Sequence, residues 1–249
     1  MSNRAAAVPT AMDAPSVAER VASLDWARLE TDLNERGCAT TGPVLTASEC
    51  GDLSAGYALE ERYRSRVVMS RHGFGKGEYK YYRYPLPDLI AALRLNLYPR
   101  LAGIANRWET MLGRSADFPP VHETFLARCR AAGQNQPTPL LLRYGQGDYN
   151  CLHQDLYGDI TFPMQVAFLL SAPGHGFTGG EFVLTEQRPR MQSRVEVVSL
   201  SQGEGVVFAV NQRPVKGTRG VYRVAMRHGV SRLHSGERFT LGIIFHDAR

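Results

Sequence analysis

Apolar positions along the chain change their spacing near Pro139. Before it they recur mostly at helical intervals; after it they come in short β-rich runs. In DWARLETDLNER, from Asp25 to Arg36, Trp26, Leu29 and Leu33 share one helical face, and Gly37 stands where that helix should stop. CATTGPVL follows as a short strand. Thr46-Ala-Ser-Glu49 has the capping-box pattern and predicts a helix to about Tyr57. Pro85-Leu-Pro87-Asp88 introduces a long amphipathic helix over about 88–112, with Leu89, Leu93, Leu97, Leu101, Ile104 and Trp108 as its buried stripe. A further helix is expected over about 120–131. Between them, Gly73, Gly75 and Gly77 interrupt 61–84, which reads as a strand around Arg66–Met69, a flexible loop and a strand around Glu78–Tyr84.

Beyond Pro139, TPLLLRY, ITFPMQVAFLLSA, GGEFVLTE, RVEVVSLS, GEGVVFAV, YRVAMRHGVSRL and RFTLGIIF predict seven or eight strands separated by Gly, Pro and Asn turns. That spacing indicates a sandwich or jelly roll rather than an α/β sheet. The expected fold class is therefore α+β: a double-stranded β-helix (jelly roll, cupin-like) in the C-terminal half, with N-terminal helices packed against it. No linker divides the halves and no internal repeat is visible. Residues 17–249 are expected to form one domain, with a helical part at 17–138 and a jelly-roll core at 139–249. The Ala/Pro-rich stretch 1–16 is expected to be a disordered tail.

Composition narrows the class. With 249 residues, 43% of them hydrophobic, the chain can bury a large core, which excludes wholesale disorder. No run of about 18 apolar residues exists, so no membrane-spanning helix is expected. The N-terminus lacks the apolar stretch of a secretory signal. Cys38, Cys50, Cys129 and Cys151 lie far apart without a CxxC pair, as expected of reduced cytoplasmic thiols.

Charge is unevenly placed. The net charge is +5, and segment 61–84 alone carries seven Lys/Arg against Glu61 and Glu78. A second basic region, 187–232, has nine Lys/Arg against Glu196 and Glu204, so the remainder is acidic. Such asymmetry suits a polyanionic partner. In 61–84 the cations interleave with Tyr63, Phe74, Tyr79, Tyr81, Tyr82 and Tyr84. Cations track phosphates and aromatic faces stack bases, so this segment is a candidate substrate lid for DNA or RNA. Arg66, His72, Tyr79 and Tyr81 are its candidate contacts. The alternative is that the tyrosines alternate into the interior of a strand pair while the cations are solvated.

The candidate chemistry starts at His153-Gln-Asp155. On an extended strand residues i and i+2 point the same way, so one ion can lie between His153 and Asp155. By itself the pair also fits a surface hydrogen bond. A third ligand would come from a distant strand, and His175, His228, His234 and His246 are the candidates. His228 is favoured, because His234 beside Ser235-Gly236 and His175 in PGHGFTGG suit loops, and His246 is near the chain end. Two imidazoles and a carboxylate form the facial triad of non-haem Fe(II) sites, and the same ligands suit zinc. Arg238, ten residues after His228 and expected on the next strand of a hairpin, separates the two. A buried arginine beside a metal needs a carboxylate partner, which 2-oxoglutarate would provide.

The span 139–246 resembles the Fe(II)/2-oxoglutarate-dependent dioxygenases. The resemblance is carried by LRYGQGDYNCLHQD, GGEF, GEGVVF and HGVSRLHSGERFTL. It implies that His153, Asp155 and His228 bind iron and that Arg238 anchors 2-oxoglutarate. Tyr144, nine residues before His153, matches a tyrosine that helps bind the cosubstrate in prolyl-hydroxylase-like members. The whole chain, including HGFGKGEYKY at 72–81, looks like a bacterial oxygenase group classed as acting on damaged nucleic acid. The resemblance thus implies hydroxylation of a C–H bond with O2, converting 2-oxoglutarate to succinate, and oxidative demethylation of a damaged nucleobase in DNA repair. Spacing of a single arginine ten residues after the distal histidine is similar to the prolyl hydroxylases, which implies a peptide or small molecule as the alternative substrate. A non-catalytic nucleic-acid-binding jelly-roll module is the alternative of another class.

Overall fold

A computed structural model describes residues 14–249 other than 157 and 219. Nearly all of the expected tail, 1–13, lies outside the described residues. Ser16, its last residue, caps α1 (Val17–Ala22) in a capping box with Glu19. In α2 (Trp26–Arg36) the Asp25 side chain accepts from the Arg28 amide, and Gly37 ends the helix in the left-handed conformation at φ 77°. After β1 (Cys38–Pro43), Thr46 and Glu49 form the expected capping box of α3 (Ala47–Ala55). The segment 61–84 holds β2 (Tyr63–Val68), β3 (Gly75–Lys76) and β4 (Glu78–Tyr82).

The long helix is α4 (Asp88–Met111), followed by α5 (His122–Ala131). Its buried stripe begins at Ile90, not at Leu89, which is half-buried. Successive steps of four residues back from Leu101 rotate away from a 3.6-residue face, so Leu89 drifts off it and Ile90 takes its place. Arg94, also buried in α4, donates Nε–H to the Ile244 carbonyl and Nη2–H to the His246 carbonyl and, at 2.7 Å, to Asp247 Oδ1. This satisfied buried pair ties the C-terminal segment to the helix.

Eleven strands are described from Leu140 onward, more than the seven or eight expected. They are β5 (Leu140–Tyr144), β6 (Tyr149–His153), β7 (Met164–Leu169), β8 (Phe177–Gly179), β9 (Phe182–Gln187), β10 (Arg194–Val198), β11 (Glu204–Ala209), β12 (Gln212–Gly217), β13 (Gly220–Val230), β14 (Leu233–Gly236) and β15 (Arg238–Ile243). Apolar runs such as RVEVVSLS and YRVAMRHGVSRL mark strands that flank a core. The short β8, which pairs only with β14, and the polar β12, which pairs only with β13, lack that signal.

A seven-stranded sheet runs β1-β11-β7-β15-β5-β4-β2, and a second runs β10-β9-β13-β6-β3, with β12 on β13. Their strand pairings are antiparallel. The N-terminal half is therefore not only helical, because β1, β2 and β4 widen the first sheet and β3 the second. Pairing explains this: β4 satisfies the outer edge of β5, and β1 that of β11. The helices pack around this framework through one continuous apolar core that holds Leu93, Leu97, Trp108, Val166, Phe168, Val207 and Ile243. Among the described residues no helix is long and apolar enough to cross a membrane.

Candidate active site

His153 ends β6 and His228 lies in β13. These strands are antiparallel neighbours, and the two histidines face each other in register. Their ring centroids are 4.2 Å apart. Close approach of the two strands is helped by Gly229, where an added Cβ would lie 2.7 Å from the Asn150 carbonyl oxygen. Asp155, two residues on, places Oδ1 3.4 Å from His153 Nε2 and Oδ2 3.3 Å from His228 Nε2. One ligand atom from each of the three lies within 4.8 Å of the others, so a single cation fits among them.

The surroundings set the ligands for metal. His153 Nδ1–H donates to the Cys151 carbonyl at 2.8 Å, which turns Nε2 toward Asp155, where it donates while protonated and would offer its lone pair to a metal that displaces that proton. The His228 ring packs against Phe208, centroids 4.6 Å apart, and more distantly against Phe182. Burial opposes ionisation of Asp155, but hydrogen bonds and charge from both imidazoles outweigh it and hold the carboxyl well below the usual range. Burial lowers His228. It also works against His153, where Asp155 wins and raises the imidazole above its usual value.

Sequence reasoning missed Gln154, between two candidate ligands. Its Nε2–H groups donate at 2.8 Å to Asn211 Oδ1 and to the Met226 carbonyl. This pins the backbone that carries His153 and Asp155. Only the alternation of a strand, which turns Gln154 away from its neighbours, hinted at it.

Arg238 does not lie on a hairpin partner of β13. The chain leaves β13, forms β14 against β8, and enters the other sheet at β15, between β5 and β7. The left-handed Gly236 makes the turn between β14 and β15. Arg238 consequently sits opposite Tyr144 of β5, in register. Its guanidinium is buried, lies 5.7 Å from the Tyr144 ring centroid and donates from Nη1 to Thr240 Oγ1 at 2.6 Å. Among the described residues it forms no ion pair, and Nε has no partner. The buried Tyr144 hydroxyl has Asn150 beside it but no partner at hydrogen-bond geometry.

His153, Asp155, His228, Tyr144 and Arg238 line one cavity of about 370 Å³. Its wall is otherwise largely apolar, with Leu142, Val166, Phe182 and Phe208. Such a wall excludes water from the metal position. Two buried, unanswered donors at one end match a carboxylate, so the donor set fits both a ferrous ion and a dicarboxylic cosubstrate.

The other histidines stand apart. His175 and His234 are exposed. His246 is buried and accepts the Phe162 amide at Nδ1. Of the candidate lid residues, Tyr79 and Tyr81 line the cavity, their rings edge to face at 5.4 Å. Arg66 is exposed and bonded to Glu78, and His72 is exposed and stacked on Phe74. Phe74 itself lines the cavity while 47% exposed, at its mouth. Lys80 is not a free cation: it is buried against Glu60 at 2.6 Å and the Tyr57 carbonyl.

Antiparallel sheets, three side chains that could hold a metal and an unpaired buried arginine in one cavity are the parts that a 2-oxoglutarate- and Fe(II)-dependent oxygenase requires. Residues 77–248 match the family described as "Oxygenase, catalysing oxidative methylation of damaged DNA", and the chain belongs to that family. The uncharacterised protein Rv2227 of Mycobacterium tuberculosis (strain ATCC 25618 / H37Rv) is 51% identical over 164 residues, 66% of this chain and 70% of that protein. Among solved structures, a Pseudomonas putida prolyl-4-hydroxylase is similar at TM-score 0.52 and 16% identity, covering 90% of this chain and 99% of that one. An oxidoreductase of the 2OG-Fe(II) oxygenase family from Burkholderia pseudomallei is similar at TM-score 0.51 and 17% identity, over 91% and 93% of the two chains. These likenesses place the fold. The oxygenase family, with its assembled triad, sets aside a purely non-catalytic binding module.

Proposed function

We propose that the chain oxidises a C–H bond of a damaged nucleobase, removing an N-methyl group, on a double-stranded β-helix of one domain spanning 17–249. His153, Asp155 and His228 hold Fe(II). Arg238 and Tyr144 receive the distal carboxylate of 2-oxoglutarate. Bound together, iron and 2-oxoglutarate supply oxygen insertion from O2, with succinate and CO2 as coproducts. The protein contributes position and dryness. Gln154 keeps the ligand-bearing backbone fixed, and Phe182, Phe208 and Val166 keep water from the reacting carbon. Hydroxylation of an N-methyl carbon lets formaldehyde leave, which makes the net reaction a demethylation.

The observation that carries this reading is the Arg238 guanidinium, buried without a carboxylate in the cavity that also holds the triad. The nucleic-acid substrate is supported by the family's description and by the mouth of the cavity. Phe74, Tyr79 and Tyr81 offer stacking faces there, and Arg71 and Lys76 nearby in sequence are exposed cations without ion pairs among the described residues. Arg66 and His72 would flank the strand. A base must leave its stack to reach this depth. Four free cysteines suit a reducing cytoplasm.

A peptide substrate is the second reading, favoured by the likeness to the prolyl-4-hydroxylase fold and by the spacing of Arg238. Succinate release with Fe(II), ascorbate and 2-oxoglutarate separates the two. Stimulation by N-methylated oligonucleotides is expected. Stimulation by peptides alone would select the second reading.

A further inference from the structure

Four buried side chains that line the cavity carry polar atoms without a partner among the described residues: Tyr144, Arg238, His228 and Gln165. The first two face the proposed cosubstrate carboxylate, and His228, unpartnered at Nδ1, is a candidate metal ligand through its other nitrogen, Nε2. Gln165 has no such assignment. It is 5% exposed, and its Nε2 has no hydrogen-bond partner. Leaving an amide donor buried and unpaired costs free energy unless a ligand answers it.

Register places Gln165 far from the arginine. On β15, Thr240 pairs Leu169 and Ile243 pairs Val166, so Gln165 stands level with Ile244. Arg238 lies six residues up the same strand, roughly 20 Å away along the sheet at 3.3 Å per residue. On the other side Gln165 pairs Phe208, whose ring touches His228. The triad therefore has Arg238 toward one end of the cavity floor and Gln165 toward the other, where Tyr81, Leu140 and Ile244 also line the wall.

We infer that Gln165 is the specificity-determining contact for substrate, resting on the nucleobase reading for the substrate's class. A carboxamide presents a donor beside an acceptor. That pair is complementary to the edge of a base carrying a ring-nitrogen acceptor next to an amino group, as adenine does. Tyr79 and Tyr81 supply the apolar flank for the same ring. A site built to hydrogen-bond its substrate discriminates strongly against one that cannot answer it.

The test follows the Gln165 side-chain amide in nitrogen–proton correlation spectra of the full chain, assigned by its loss in Gln165→Met. The protein is loaded with Zn(II) and N-oxalylglycine. Single-stranded DNA carrying an N-methylated adenine, or a proline-containing peptide, is then added. The resonance should stay in place with N-oxalylglycine and move with the DNA. Gln165→Met should weaken DNA binding roughly tenfold or more and leave N-oxalylglycine affinity within about twofold. Gln165→Glu, which keeps the size and removes the donor, should behave alike if Gln165→Met folds poorly. Movement with the peptide and not the DNA would keep Gln165 as the substrate contact and overturn the nucleobase reading. Movement with N-oxalylglycine alone, response to neither polymer, or unchanged binding in both variants would overturn the inference.

Discussion

At the triad, the buried Asp155 carboxylate faces two imidazoles at 3.3 and 3.4 Å, and each charge there has an answer before any metal arrives. At Arg238, an equally buried guanidinium has one hydroxyl and two aromatic faces and, among the described residues, forms no ion pair, Glu181 acting on it only from farther off. Both groups lie in one cavity, yet the first has charged partners within it and the second has an unpartnered Nε. Removing a partner from a satisfied pair strands a charge. Removing an unpaired charge relieves the fold and harms only binding. Stability and function should thus change together at one site and in opposite directions at the other.

Asp155→Ala breaks the satisfied site. Succinate production should fall at least about 100-fold through lost metal affinity. The variant should also melt below wild type without ligands, because His228 loses its partner. Arg238→Met should raise the 2-oxoglutarate requirement about 10–100-fold, the worth of charge-assisted hydrogen bonds. Its melting temperature without ligands should match or exceed wild type. A fall in both would show that Arg238 is structural.

Two histidines outside the site sharpen the comparison, since they are buried neutral. Burial, reinforced by the Arg94 charge, lowers His122 and His246 to about 4. Unfolded, each titrates near 6.5, so the unfolded chain takes up protons that the folded chain refuses. Their contribution is complete above pH 6.5 and is lost as pH falls toward 4. Denaturant melts should show a loss of about 1–2 kcal/mol per histidine by pH 5, reduced in His122→Gln. The smallest effect belongs to Tyr144→Phe. Removal of an unpaired hydroxyl should leave stability within about 0.5 kcal/mol and weaken 2-oxoglutarate binding several-fold, measured by calorimetry with Mn(II) in place of iron.

Local chemistry was the legible part of this fold. Asp25, Gly37, Thr46 and Glu49 act within a few residues, so their helix ends could be read directly. The closeness of His153 and Asp155 was legible for the same reason, because extended backbone brings i and i+2 to one side, although β6 itself ends at His153. His228 needed a choice among distant histidines, and its register opposite His153 is a long-range property. Arg238 was singled out by spacing and misplaced in topology, since ten residues suffice to cross between sheets as well as to close a hairpin. Lys80 reads as one more cation of a basic segment, yet Glu60, Tyr57 and Tyr63 enclose it. Gln165 carried no signal, because one polar residue in an apolar run shows its meaning only when its neighbours across the sheet are known.

Under the proposed assignment the distal carboxylate answers the unpaired arginine, so the decisive measurement compares 2-oxoglutarate with 2-oxopentanoate, the same chain length without it. Affinities are taken anaerobically on the Fe(II) protein, for wild type and Arg238→Met. Wild type should prefer the diacid at least about tenfold, and Arg238→Met should lose that preference while binding the monoacid as before. Equal preference for the diacid in both proteins would contradict the assignment of Arg238 to the cosubstrate.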